Sequence, residues 1–182
     1  MGDIKQLLAW KDTFLLNHVI NTSLQLDSLQ TVVVLGGNYE RIKGEIQQEH
    51  IQIIYNMNWR NGLGSSIAFG VNYIMSNYHV DGILIMLADQ PLINNQYLKI
   101  IIDSFKIDKK QIVASKYGRD KLGVPALFDS FYFKELCELN QEKGAKKVIE
   151  NHLDNVLALS ANHLISDIDT KEDYEKLYRE NH

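Results

Sequence analysis

Apolar and polar positions alternate between two periods along the chain, and the switches outline its elements. Phe14, Leu15, His18, Val19 and Leu24 recur at helical spacing over residues 13 to 24. Thr31-Val-Val-Val-Leu-Gly36 is a β-branched run stopped by Gly36 and Gly37, and reads as a strand. A polar helix over Tyr39 to Gln48, a strand at Ile51-Gln-Ile-Ile-Tyr55 and a polar loop from Asn56 to Gly64 come next. A helix opening at Ser65 carries Ile67, Val71, Ile74 and Met75 as an apolar stripe fit to lie on a sheet. Gly82-Ile-Leu-Ile-Met-Leu-Ala-Asp89 is then apolar without interruption, the pattern of a strand buried on both faces in a parallel sheet. The rest predicts a helix from Gln96 to Phe105, a strand at Gln111-Ile-Val-Ala-Ser115, a loop from Tyr117 to Gly123 and an apolar stretch Pro125-Ala-Leu-Phe128. Two helical stretches over 131 to 152, a short strand at Asn155-Val-Leu-Ala-Leu159, a turn at Asp167-Ile-Asp169-Thr170 and a helix from Lys171 to Arg179 close the chain. This alternation predicts one three-layer α/β/α domain around a mostly parallel sheet.

Chemistry enters where the strands end. In open α/β sheets ligands gather beyond the carboxyl ends of the strands, and Asp89 stands at such an end, followed by Gln90 and a strand-stopping Pro91. A carboxylate there suits a Mg²⁺ ion held against a phosphate, since that ion is usually bound by one or two carboxylates plus substrate oxygens. The same residues also read as a plain Asp-before-Pro turn. Ser65 or Ser66, after Gly62-Leu-Gly64, can cap the following helix and leave its first amides facing an anion, or can cap and nothing more. Thr170 reads as the cap of the last helix, with Asp173 completing a variant capping box and Asp169 beside the helix N-terminus.

Composition narrows the classes. The 182 residues are 45% apolar and 23% charged, enough for a full core, and the formal net charge of −4 with no Lys/Arg run argues against a nucleic-acid partner. A single cysteine, Cys137, suits a reducing cytoplasm and lies among Phe133, Leu136 and Leu139 at helical spacing, as a buried structural thiol does. The opening residues carry no signal-peptide pattern, and no apolar segment approaches the roughly 18 residues needed to span a bilayer, so no membrane role is expected. The six histidines form no zinc spacing, and no serine-hydrolase elbow, P-loop or intact dinucleotide fingerprint is present. What remains is a carboxylate-and-glycine site suited to phosphate chemistry.

Six segments, in order, resemble the molybdenum cofactor nucleotidyltransferase-like family, the MobA-like NTP transferases, and within them the cytidylyltransferase-type branch. Met1-Gly2-Asp3-Ile4-Lys5-Gln6 is similar to the second half of the opening signature L-A-A-G-x-S-x-R-M-G-x-x-K. Asn56-Met-Asn-Trp59-Arg-Asn-Gly62-Leu-Gly-Ser65-Ser66 resembles N-x-x-W-x-x-G-x-x-x-S, and Asp89-Gln90-Pro91 resembles the metal-binding D-x-P. Gly123-Val124-Pro125-Ala-Leu-Phe128 is similar to the acceptor strand G-x-P-v-l-f, and Lys143-Gly144-Ala145-Lys146 to K-G-A-R. Asp167-Ile-Asp169-Thr170-Lys-Glu-Asp173-Tyr174 resembles the closing D-I-D-T-P-E-D-Y.

The resemblance implies a Rossmann-like nucleotide-diphospho-sugar transferase fold and a Mg²⁺-dependent nucleotidyltransferase. An NMP moves from an NTP, CTP or GTP, to a small phosphorylated acceptor such as molybdopterin cofactor, and pyrophosphate leaves. It implies Asp89 and Asp169 as metal ligands, and Lys5 on the NTP phosphates. Gly62, Ser65, Ser66, Gln90 and Pro91 would meet the nucleotide, and Gly123 with Pro125 the acceptor. It also implies that the family's first strand and glycine-rich phosphate loop are missing, with Met1 an internal methionine of a longer protein. Val124 stands where His or Asn is usual, and Lys146 where an arginine fork is usual. A second class is a nucleotide- or pterin-binding assembly factor for a molybdoenzyme, which binds without turnover.

Overall fold

The computed structural model describes residues 4–26, 30–118, 120–161, 164–166, 168 and 170–181. A hairpin of β1 (Ala9–Trp10) and β2 (Thr13–Phe14) runs directly into α1 (Leu15–Leu24). Then come β3 (Thr31–Leu35), α2 (Tyr39–Glu45), β4 (Ile51–Tyr55), α3 (Leu63–Asn77), β5 (Gly82–Ile85) and α4 (Asn95–Asp103). The second half contains β6 (Ile112–Tyr117), β7 (Lys121–Asp129), α5 (Phe133–Cys137), α6 (Lys146–Asn151), β8 (Val156–Ser160) and α7 (Lys171–Asn181).

Strands β5-β7-β6-β8 form one sheet and β3-β4 another. β3 pairs with β4 in parallel from Thr31↔Ile51 to Leu35↔Tyr55, and β6 pairs with β8 in parallel. β7, however, is antiparallel to both β5 and β6, so the expected mostly parallel sheet is a mixed one. The reason is the connection: residues 118–120 between β6 and β7 are too few for the crossover that a parallel pair needs. Likewise the apolar run from Gly82 pairs only as far as Ile85, and its partner β7 runs the other way.

Side-chain alternation assigns the layers. Ile83 and Ile85 of β5 pack with Ala68 and Val71 of α3, Leu136 of α5 and Val148 and Ile149 of α6. Leu84 packs instead with Tyr97, Leu98 and Ile101 of α4. Val33 and Leu35 of β3 pack with Leu16 and Ile20 of α1 and Ile42 of α2. α3 spans both sheets, because Gly70 lies against Val34, where a Cβ would come within 2.9 Å of a methyl group. The three-layer α/β/α architecture read from the sequence is therefore the one observed.

Two features tie the layers. The Tyr97 hydroxyl lies 2.9 Å from Ser115 Oγ and 3.1 Å from the Leu159 carbonyl, and Ser115 donates to the Pro125 carbonyl at 2.6 Å, linking α4, β6, β7 and β8. Burial pushes the Tyr97 pKa up. At the other end α7 covers the N-terminal hairpin: Leu177, Tyr174 and Tyr178 pack with Trp10, Leu15 and Ile168, and the Tyr174 hydroxyl donates to the Ala9 carbonyl at 2.9 Å. Thr170 caps that helix reciprocally with Asp173, Asp173 N–H reaching Thr170 Oγ1 at 3.0 Å and Thr170 N–H reaching Asp173 Oδ2 at 2.9 Å.

Candidate functional site

The turn that bears Asp89 is held from three directions. Beyond β5 the chain continues to Ala88, which packs against the Leu16, Ile20, Val33, Leu35 and Ile42 cluster beside β3. The Asp89 carbonyl then accepts the Ile168 N–H at 3.3 Å, the Gln90 carbonyl accepts the Ile93 N–H at 3.3 Å, and the Pro91 carbonyl lies 3.0 Å from His18 Nε2. Gln90 is 4% exposed and Pro91 is buried, whereas Asp89 is half-buried. Of this triplet, then, Asp89 keeps the most exposed surface, and Gln90 and Pro91 are packed into the turn. Asp169 lies outside the described residues. Its chain neighbour Ile168 is fully buried and bonded to the Asp89 backbone.

Lys5 lies in a single 3-10 turn, Lys5–Leu7, and is half-buried. Ile4 and Leu7, on either side of it, pack against the cluster that receives Ala88. One apolar cluster thus supports both the Lys5 turn and the approach to Asp89.

The 56–66 segment differs from expectation. α3 begins at Leu63 with Gly62 as its N-cap at φ 93°, so Ser65 and Ser66 lie inside the first turn and do not cap it. Asn56, almost wholly buried, organises them: its Nδ2 donates to Ser65 Oγ at 3.0 Å and Ser66 Oγ at 3.1 Å, and its Oδ1 accepts the Asn58 N–H at 2.9 Å. Ser65 Oγ in turn donates to the Asn58 carbonyl. The helix amides expected to face an anion are partly used by the protein, since Gly64 N–H donates to the Gln141 carbonyl at 2.8 Å and Ser65 N–H to the Gly62 carbonyl. A Cβ on Gly62 would strike the Gln141 backbone at 2.5 Å, and one on Gly64 the Asn140 carbonyl at 2.7 Å. Close loop packing therefore accounts for both glycines. Gly36 has a similar reason, because Trp59 lies across it, with the Arg60 guanidinium 4.5 Å from the Trp59 ring centre.

On the expected acceptor side, Gly123 and Pro125 are buried. Gly123 contacts the Tyr117 ring and hydroxyl, and the Pro125 carbonyl takes the Ser115 hydroxyl. The register jumps here, from Ser115↔Gly123 to Ala114↔Ala126, which bulges Val124 and Pro125 out of the ladder and leaves Val124 half-buried. Val124 is the member of the triplet with remaining exposure.

A shallow concavity of about 440 Å³ opens at the C-terminal edge of β3 and β4, lined by Asn38, Tyr39, Glu40, Arg41 and Tyr55. The Tyr39 and Tyr55 rings are 4.6 Å apart within it. It does not include Asp89, so open volume and carboxylate chemistry point to different places. Asp89 is the candidate of the two for a metal, because a hard cation needs oxygen ligands more than it needs space. Sequence reasoning quoted Asn56 only as the first residue of the 56–66 segment and gave His18 no role beyond its helix; nothing local signals the His18 contact with Pro91.

The model of the MobA-like NTP transferase domain matches residues 1–156. The chain belongs to that family. It is accordingly a nucleotidyltransferase, related at 24% identity over 145 residues to a probable molybdenum cofactor guanylyltransferase of Bacillus mycoides (strain KBAB4), with 78% of this chain and 68% of that protein covered. A second relative, the nicotine blue oxidoreductase of Paenarthrobacter nicotinovorans, is 31% identical over 87 residues, covering 48% of this chain and 41% of that one. Among solved structures, Rv0371c of Mycobacterium tuberculosis H37Rv in complex with manganese superposes with a TM-score of 0.81 at 25% identity, covering 98% of this chain and 93% of that one. A nucleotidyl transferase from Methanothermobacter, 16% identical, shares the fold with a TM-score of 0.81 over 97% of this chain and 84% of its own.

The residues present fit a divalent cation, to which half-buried Asp89 offers a carboxylate from the turn. One or two carboxylates completed by substrate phosphate oxygens is the usual Mg²⁺ arrangement.

Proposed function

We propose that this chain transfers an NMP from an NTP, CTP or GTP, to a small phosphorylated acceptor of the molybdopterin type, with a Mg²⁺ ion held by Asp89 and Asp169. The guanylyltransferase relative motivates the acceptor, and the manganese complex of Rv0371c motivates the divalent ion. An acceptor phosphate oxygen forms a bond to the α-phosphorus in line, the bond from that phosphorus to the bridging oxygen of the β-phosphate breaks, and pyrophosphate leaves with the electron pair. A bound divalent ion would supply charge neutralisation across the phosphates. Lys5 holds the leaving phosphates as a point charge. Ser65 and Ser66, held by Asn56, give the nucleoside a wall whose hydroxyls are already oriented. Val124, between Gly123 and Pro125, faces the acceptor.

The observation that carries this reading is the half-buried Asp89 carboxylate on a turn bonded to Ile168. Asp89→Asn, tested for pyrophosphate release with each NTP and a pterin acceptor, is expected to lose activity by about three orders of magnitude, the scale of several kcal/mol of transition-state stabilisation. Its melting temperature should stay near that of the parent, because the Asp89 carbonyl that takes the Ile168 bond is kept. Full activity in the variant would remove Asp89 from the mechanism. NTP binding without pyrophosphate release in the parent chain would instead favour an assembly factor.

A further inference from the structure

Three successive carbonyls, of Asp89, Gln90 and Pro91, each accept a hydrogen bond from a different donor: the Ile168 N–H, the Ile93 N–H and the His18 ring. Two of these donors are backbone groups. The third is a side chain from α1, separated from Pro91 by 73 positions in sequence. We propose that His18 is a positioning residue for this nucleotidyltransferase, fixing the turn that aims the Asp89 carboxylate; the inference rests on the reading of Asp89 as a metal ligand.

The chemistry of the contact is defined. A carbonyl oxygen can only accept, so His18 Nε2 at 3.0 Å must carry the proton, in either the neutral Nε2–H tautomer or the imidazolium. His18 therefore acts through the geometry of the tether. Proline has no N–H, so Pro91 cannot add a ladder bond of its own, and its carbonyl gives α1 a hydrogen-bonding handle on the turn. α1 itself is anchored on both sides. Asn17, next to His18, donates from Nδ2 to the Glu45 carbonyl of α2 at 2.8 Å, and Leu15 is fully buried with Trp10 and Ile168. The His18 ring is further steered by Trp10, whose ring centre lies 6.3 Å away. α1 thus joins the β3–α2 unit to the Asp89 turn through two neighbouring polar side chains.

The test compares His18→Gln, whose amide nitrogen reaches about as far as Nε2, with His18→Asn, which is too short, and His18→Phe, which keeps the bulk but cannot donate. On the full chain, kcat for pyrophosphate release is expected to fall about ten- to hundredfold in the Phe and Asn variants, the scale of a misplaced catalytic group, with the NTP KM within twofold. Binding of Mn²⁺ in the presence of the NTP, read from the electron-spin signal of free ion, should weaken in the same two variants. Amide exchange at Ile93 and Ile168 should quicken in step, and Gln should restore all three readouts. A Phe variant within twofold of the parent, or a Gln variant as impaired as Phe, overturns the proposal. Asp89→Asn separates the two failures. If it is inactive while His18→Phe is normal, only the role of His18 falls; if it is fully active, the Asp89 reading falls first and the His18 role with it.

Discussion

The β5-β7-β6-β8 sheet and the β3-β4 pair have similar apolar strands and very different surroundings. In the first, Ile112, Val113, Ala114, Ala126 and Phe128 have no exposed surface. In the second, Val33 keeps 9% and Leu35 4%, and no residue of β4 is buried. Composition does not explain this, since Ile51-Gln-Ile-Ile-Tyr55 is as β-prone as Ile112-Val-Ala-Ser115. Neighbours do. Among the described residues β6 and β7 are each paired on two edges, whereas β3 and β4 are each paired on one. A strand owes its burial as much to what pairs beside it as to its own residues. The well-buried sheet leads into Asp89, and the more open pair leads into Asn56 and the tyrosine-lined concavity.

The most powerful way to break this contrast is to truncate one core side chain in each region. Phe128→Ala should cost about 3–5 kcal/mol, while Ile53→Ala, on half-buried β4, should cost about 1–2 kcal/mol. Urea unfolding of both variants gives the ratio, and equal losses would erase the distinction between the two regions.

The smallest effect lies at the edge of the rigid region. Burial raises the Glu135 pKa, but hydrogen bonds from Asn151 and His152, and the charges of His152 and Lys147, outweigh it and leave the carboxyl below its usual value. A lowered folded-state pKa adds stability above the unfolded value, near 4.3, and that stability is lost as pH falls through the folded one. The His152 Nε2 to Glu135 Oε2 contact is 2.6 Å, yet both side chains are about a third exposed, so the contribution is well below about 1 kcal/mol. Glu135→Gln should therefore flatten the loss of stability below about pH 4.5 and leave transfer activity unchanged. A melting curve across acid pH that is identical for both proteins would show the pair to be silent.

Several elements were legible because their signals are local. β3 and β4 follow from β-branched runs closed by glycine or asparagine, α7 from a Thr170–Asp173 pair three positions apart, and the Asp89 turn from its proline. Other features carried no local mark. The β1–β2 hairpin turns through Lys11 at φ 51°, a conformation its side chain does not advertise. The antiparallel course of β7 and its bulge at Val124 and Pro125 depend on the strands that flank it. Gly62 and Gly64 read as a ligand loop, and the Gln141 segment that they admit is far along the chain.

Periodicity and dihedral preference act over a few residues, so the order of helices and strands and their apolar faces could be read from the amino acids in line. His18 reaching Pro91, Asn56 gathering Ser65 and Ser66, and Gly64 meeting Gln141 are contacts between segments brought together by packing. Hydrogen bonds of that kind depend on distances that exist only after the layers have closed, and no pattern along the chain encodes them.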